Sequence, residues 1–148
     1  MELYKLQHDI KVFCVEAKSF PKGIKEAFDG LSNVAPSLEG RHIFGISKPG
    51  WDGVIRYRAA ASENFEGEGT QLGCPIFTIE KGTYMGETLM DWQQNEMLIM
   101  SIFNRLVADK RLDGSAHCIE WYKSPDELLC MVLMRADKVN SEVTELAL

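Results

Sequence analysis

The segment from His117 to Met134, HCIEWYKSPDELLCMVLM, constrains this chain more than any other. It reads as a β-hairpin. His117 to Tyr122 forms one strand, Leu128 to Met134 the other, and Lys123-Ser124-Pro125-Asp126-Glu127 supplies the turn residues between them. The first strand alternates, so Ile119 and Trp121 share one face while Cys118, Glu120 and Tyr122 share the other. The returning strand is apolar on both faces, and such a strand must be covered twice. Helices can cover one face, and Trp121 is expected to point at them. The second face then needs a ligand, a loop or a partner. Glu120, the single acid inside the apolar hairpin, is expected on that second face with Tyr122. Leu129, Met131 or Leu133 would be its neighbours across the hairpin.

A chain of 148 residues is long enough for one domain with its own core. The formal net charge is −6, and no Lys/Arg-rich run is present, which argues against direct nucleic-acid binding. No apolar stretch approaches the ~20 residues that span a bilayer, and MELYKLQHDIK lacks the apolar core of a signal peptide. A cytoplasmic protein without membrane contact is therefore expected. Cys14, Cys74, Cys118 and Cys130 show no CxxC spacing and sit in apolar segments, as reduced core cysteines do. Three scattered His and four scattered Cys offer no zinc spacing, and no metal or cofactor is expected.

Along the chain, Ile10 to Ala17 is an expected strand. Ile24, Ala27, Phe28 and Leu31 recur at helical spacing after Pro21, with Pro36 beyond the helix end. Arg41 to Ser47 and Val54 to Ala61 are strands joined by a Pro/Gly-rich turn. Ser62 to Gly73 reads as a polar loop whose acids at 63, 66 and 68 are solvated. Cys74 to Glu80 and Thr83 to Leu89 are extended, Asp91 to Lys110 is one long amphipathic helix, and Lys138 to Leu148 is a loose tail. Ile24, Phe28 and Leu31 return as Ile99, Phe103 and Leu106, and His42 returns as His117, all displaced by 75 positions. The order strand, helix, strand, strand occurs in both halves, about 9–73 and 74–137. The fold class expected is α+β within a single domain. Duplicated βαββ units would form an antiparallel sheet with two helices on one side and a cleft between pseudo-two-fold halves.

The double βαββ order, the strand CIEWY (Cys118 to Tyr122) and the stretch KGTYMGE (Lys81 to Glu87) resemble the GyrI-like, or SOUL/AraC-type, effector-binding domain. The resemblance covers roughly Ile10 to Asp137. It implies a small-molecule-binding module of the kind found in multidrug-responsive transcription activators and in small stand-alone proteins. In that family an acid of the penultimate strand lies in an aromatic-lined pocket and meets cationic amphiphiles. Glu120 matches that acid by position, and Tyr84 matches the aromatic of the strand opening the second half. The chain departs from the regulators in carrying no helix-turn-helix segment.

The candidate ligand-binding residues are Glu120, Tyr122, Tyr84, Tyr57, Trp51 and Met131. A carboxylate in an apolar setting attracts a weakly hydrated cation, and tyrosine and tryptophan faces add cation–π attraction. Against this stand plainer readings: Glu120 paired with a nearby base, Tyr84 and Tyr57 in the core, Trp51 an idle turn aromatic. Trp92 is read as packing, and His42 and His117 as strand-edge residues. GxSxG, a Gly-rich phosphate loop and HExxH are all missing, so no catalytic residue is assigned. The function expected is that of a ligand sensor or sequestering protein for a cationic amphiphile, linked to transcriptional or drug response. Two alternatives remain. One is a small hydrolase of electrophilic molecules using Glu120 with a tyrosine. The other is a gyrase-inhibitor-like module that works on a protein partner.

Overall fold

The computed structural model describes residues 1–49, 52–139 and 143–146. The chain is α+β and divides into two compact units. One is Ile10–Ile79; the other joins Met1–Asp9 to Glu80–Leu148. The strand β1 (Glu2–Leu6) opens the chain and belongs to the second unit.

The unit Ile10–Ile79 contains β2 (Ile10–Glu16), α1 (Ile24–Val34), β3 (Ile43–Pro49), β4 (Ile55–Ser62), α2 (Glu68–Gln71) and β5 (Ile76–Ile79). Its strands run in the order β5-β2-β4-β3, each pair antiparallel. Phe13, Ala61 and Ile43 lie side by side across three strands. Ala27 and Leu31 of α1 bury against Phe13, Ala59 and Ala61. Two alanines on the sheet let the helix backbone come close. Pro36 explains where α1 stops: the residue before a proline is pushed out of the helical region, and Ala35 is extended at φ −83°, ψ 140°.

The segment 62–73 departs from the solvated loop expected. It contains α2, and Glu68 is buried. Arg41 holds the Glu68 carboxylate, and the Asn64 backbone N–H also donates to it at 2.8 Å. Glu63 accepts the Gly69 N–H at 2.7 Å. The polar composition that suggested a loop is here consumed by internal hydrogen bonds.

The second unit contains β6 (Gly82–Met90), α3 (Glu96–Val107), β7 (Cys118–Tyr122), β8 (Glu127–Leu133) and β9 (Thr144–Glu145). Its strand order is β7-β8-β6-β1-β9. Each unit thus places the third strand of its βαββ set between the first two: β2-β4-β3 in one and β6-β8-β7 in the other. The repeat is present in the connections as well as in spacing. β3 and β7 begin 75 positions apart, and Phe28 and Phe103 each pack into the core beneath their own helix.

Three features of this unit differ from expectation. The residues of β1 pair antiparallel with β6, Tyr4 opposite Tyr84. Part of the supposed tail is ordered, since Thr144 and Glu145 pair in parallel with β1 and the Leu146 N–H donates to the Lys5 carbonyl at 2.9 Å. The long helix starts at Glu96 rather than Asp91. Asp91 adopts a left-handed φ of 54°, and Trp92–Gln94 form a single 3₁₀ turn before α3. Apolar periodicity runs through this joint and cannot report a backbone reversal of one residue. Among the described residues, no helix is long and apolar enough to cross a membrane.

Candidate functional site

The faces of the second unit follow from its register. Ile119 lies opposite Met131, Glu120 opposite Cys130, Trp121 opposite Leu129 and Tyr122 opposite Leu128. Leu128, Cys130 and Val132 pack against Ile102, Phe103 and Leu106 of α3, and Cys118 and Tyr122 join the same cluster. Glu120 therefore shares the α3 face. Its cross-strand neighbour is Cys130, not Leu129, Met131 or Leu133. Trp121 is correspondingly turned away from α3 and is buried on the opposite face with Ile119, Leu129 and Met131. The period-two alternation was correct; the assignment of helices to one side was inverted. Nothing in an alternating strand says on which side the helix will settle.

On the α3 face three strands align a row of side chains. Glu87 of β6 pairs with Cys130 of β8, which pairs with Glu120 of β7. The row thus places two carboxylates on either side of a buried thiol. Glu87 is answered by α3, since Arg105 Nη2 donates to its Oε2 at 2.8 Å. The half-buried Glu120 accepts a hydrogen bond from the Tyr122 hydroxyl at 2.7 Å. The two residues are i and i+2 on one strand, which puts their side chains on the same face within reach. Burial pushes the Cys118 thiol up to about 11, and the charge of Glu120 adds to this. Cys130 is raised further by the same causes in the same order, with Glu87 contributing as well. Both thiols stay protonated at neutral pH and act as small apolar groups.

Tyr122 is in turn set by Trp92. Their ring centroids are 5.0 Å apart at 65°, an edge-to-face contact. Trp92 is carried by the 3₁₀ turn, which the hairpin tip fixes in place. The Asp91 N–H donates to the Asp126 carbonyl at 2.7 Å, and the Gln93 amide donates to the Pro125 carbonyl at 3.0 Å. The Trp92 indole nitrogen is buried and has no hydrogen-bond partner among the described residues. A buried donor left unpaired costs about 1–3 kcal/mol. Sequence reading treated Trp92 as packing; its place beside Tyr122 comes from the backbone reversal at Asp91, which periodicity does not carry.

The other expected site residues fall elsewhere. Tyr84 is buried on β6 and donates its hydroxyl to the Glu80 carbonyl; burial raises its pKa. Tyr84 pairs with Leu133 in register, so it belongs with Met131 to the face of the sheet away from α3. Met131 is fully buried there. Tyr57 is a buried residue of the other unit, with its ring 6.0 Å from Phe20 and 6.3 Å from Phe28. Trp51 lies outside the described residues. The structure thus brings Glu120 and Tyr122 into contact, with Trp92 added to them. Among the described residues, no group of three or more His, Cys, Asp or Glu is placed to hold a metal ion.

No family model matches the sequence, and no curated protein does. Solved structures share the fold. SAV2435 bound to tetraphenylphosphonium is 13% identical, with a TM-score of 0.60 over 93% of this chain and 94% of its own. An integron cassette protein from the mobile metagenome of Vibrio cholerae is 14% identical, with a TM-score of 0.56 over 91% of this chain and 100% of its own. A candidate transcription regulation protein from Staphylococcus aureus MU50 is 14% identical, with a TM-score of 0.53 over 89% of this chain and 97% of its own. At these identities the likeness is one of fold alone: the chain shares its α+β architecture with these proteins.

Proposed function

We propose that this protein binds a cationic, amphiphilic small molecule, with Glu120 as the charge that selects it. The observation that carries the reading is the Glu120 carboxylate, half-buried on the apolar α3 face and held by the Tyr122 hydroxyl at 2.7 Å. A carboxylate among apolar groups and thiols has lost part of its hydration, and a large, weakly hydrated cation compensates that loss better than a small one. The Tyr122 and Trp92 rings add aromatic surface beside the charge. That a protein of the same fold is bound to tetraphenylphosphonium supports this class of ligand. On this reading the chain is a GyrI-like cytoplasmic module that senses or sequesters such a compound, and Tyr84 and Met131 support Glu120 from behind the sheet.

Calorimetric titration with tetraphenylphosphonium and with neutral triphenylphosphine oxide tests the proposal. Binding of the cation in clear preference to the oxide is expected. Equal binding of both, or of neither, overturns it. A hydrogen-bonded Tyr–Glu pair is also a proton donor and acceptor, which keeps a hydrolase as the second reading. A binding protein returns its ligand unchanged, so product analysis after prolonged incubation separates the two.

A further inference from the structure

The Trp92 indole N–H is out of contact with solvent and has no partner among the described residues. Such donors are rare in folded proteins and call for a specific explanation. Three observations bear on this one. The indole ring packs edge-to-face on Tyr122, whose hydroxyl donates to Glu120, so the unpaired donor lies one tyrosine away from the proposed anionic anchor. The residue itself is only partly buried, so its ring can be reached although its N–H is covered. The turn that carries it begins at Asp91, a non-glycine residue in the left-handed region, and backbone strain of this kind persists where the surroundings impose it. Here the hairpin tip imposes it, through the Asp91–Asp126 and Gln93–Pro125 hydrogen bonds.

We propose that Trp92 is a specificity-determining residue, whose indole N–H donates to a hydrogen-bond acceptor on the ligand that Glu120 attracts. This rests on the cation-binding reading above and narrows its ligand class. The preferred compound carries a positive charge and, within about the length of a tyrosine side chain, an ether, carbonyl or amide oxygen. Binding moves the indole enough to uncover its N–H. Because the donor has no partner among the described residues, no hydrogen bond to them is broken when the acceptor arrives, and the new bond adds to affinity what remains after the indole has moved.

The test compares tetraphenylphosphonium with derivatives bearing one methoxy or carbamoyl group at a meta or para position. Each is titrated against the wild-type protein and a variant with benzothienylalanine at position 92, which keeps the bicyclic ring and replaces N–H by sulfur. Trp92→Phe serves as a second variant, and thermal melts confirm that both fold. At least one acceptor-bearing cation is expected to bind the wild type about tenfold more tightly than the parent, the size of one neutral hydrogen bond. That advantage, read as the ratio of derivative to parent affinity within each protein, should vanish in both variants. In ¹H–¹⁵N spectra the Trp92 indole proton should move downfield with the acceptor-bearing cation and not with the parent. If the parent binds but no derivative gains, or if the gain survives loss of the N–H, the donor role is overturned while the cation reading stands. If no phosphonium binds the wild type, the cation reading fails and the donor role fails with it.

Discussion

Arg41 grips Glu68 as a fork: Nη1 donates to Oε1 at 2.5 Å and Nη2 to Oε2 at 2.8 Å, with both side chains almost wholly buried. The remaining Arg41 donors reach the Ser37 and Ser62 carbonyls, and its guanidinium lies 5.2 Å from the Phe13 ring centroid. The pair therefore ties α2 and the end of β4 to the segment before β3. Arg41→Met leaves Glu68 as an uncompensated buried charge, and chemical denaturation should show a loss of about 3–5 kcal/mol. Changing both residues to apolar ones of similar size should cost much less.

The same pair makes stability depend on acid. Hydrogen bonding from Arg41 and then from the Asn64 N–H holds the Glu68 carboxyl at about 2, below its usual 4.5. A depressed folded-state value adds stability that is fully present above the unfolded value and is lost as pH falls through the folded one. Urea midpoints should therefore decline between pH 4.5 and 2 in the wild type. The decline should be shallower in a variant with both Arg41 and Glu68 replaced by apolar residues.

Replacing Glu120 by Gln keeps an oxygen for the Tyr122 hydroxyl and removes the charge. The melting temperature should hardly change. Affinity for tetraphenylphosphonium should fall by about 1–3 kcal/mol, the size of a lost charge-assisted contact. A neutral analogue should lose far less. Equal losses for both would show that the charge is not what selects the ligand.

Gly69 sits where α2 meets the sheet. A Cβ there would come 2.2 Å from Ile76 Cδ1 and 2.7 Å from Phe13 Cβ. The isoleucine tip can move, but the Phe13 Cβ is fixed to its backbone. Gly69→Ala should destabilise by about 1–3 kcal/mol, as overpacking does. Gly114→Ala, which meets nothing within 4 Å, is the control and should be close to neutral.

All four cysteines are free. Burial raises Cys14 to about 11 and raises Cys74, Cys118 and Cys130 as well, so little reactive thiolate exists at neutral pH. A disulfide-exchange reagent should react slowly with the native protein, first at the less buried Cys74. It should count four thiols after unfolding. A fast-reacting buried thiol would contradict this packing.

Much of the fold was legible because its signals are local. Ile24, Phe28 and Leu31 declare α1, Pro36 ends it, and the 75-residue recurrence of these positions reveals the second βαββ set. What escaped depends on partners distant in sequence. Glu68 looks solvated until Arg41, 27 positions earlier, is brought to it. The residues Glu2–Leu6 look unremarkable until β6 offers an edge. At the candidate site, alternation placed Glu120 with Tyr122, and they do touch. It could not say which face α3 covers, so Trp121 was sent to the wrong side. Trp92 was read as packing, and it does pack, on Tyr122; the one-residue reversal at Asp91 that turns it there leaves no trace in apolar periodicity.

The early strand Glu2–Leu6 pairs with Gly82–Met90, whereas Ile10–Ile79 is one continuous stretch of chain. On a ribosome these two arrangements have different timetables. The continuous unit has its whole sequence available once residue 79 has emerged. The opening strand must wait, unpaired, through the synthesis of everything between it and its partner, at about 5–20 residues per second. A strand that leaves the ribosome well before its partner is exposed as a bare edge for that interval. Glu2 and Lys5, one charge of each sign on a five-residue strand, are the sort of residues that keep such an edge from joining a neighbouring chain.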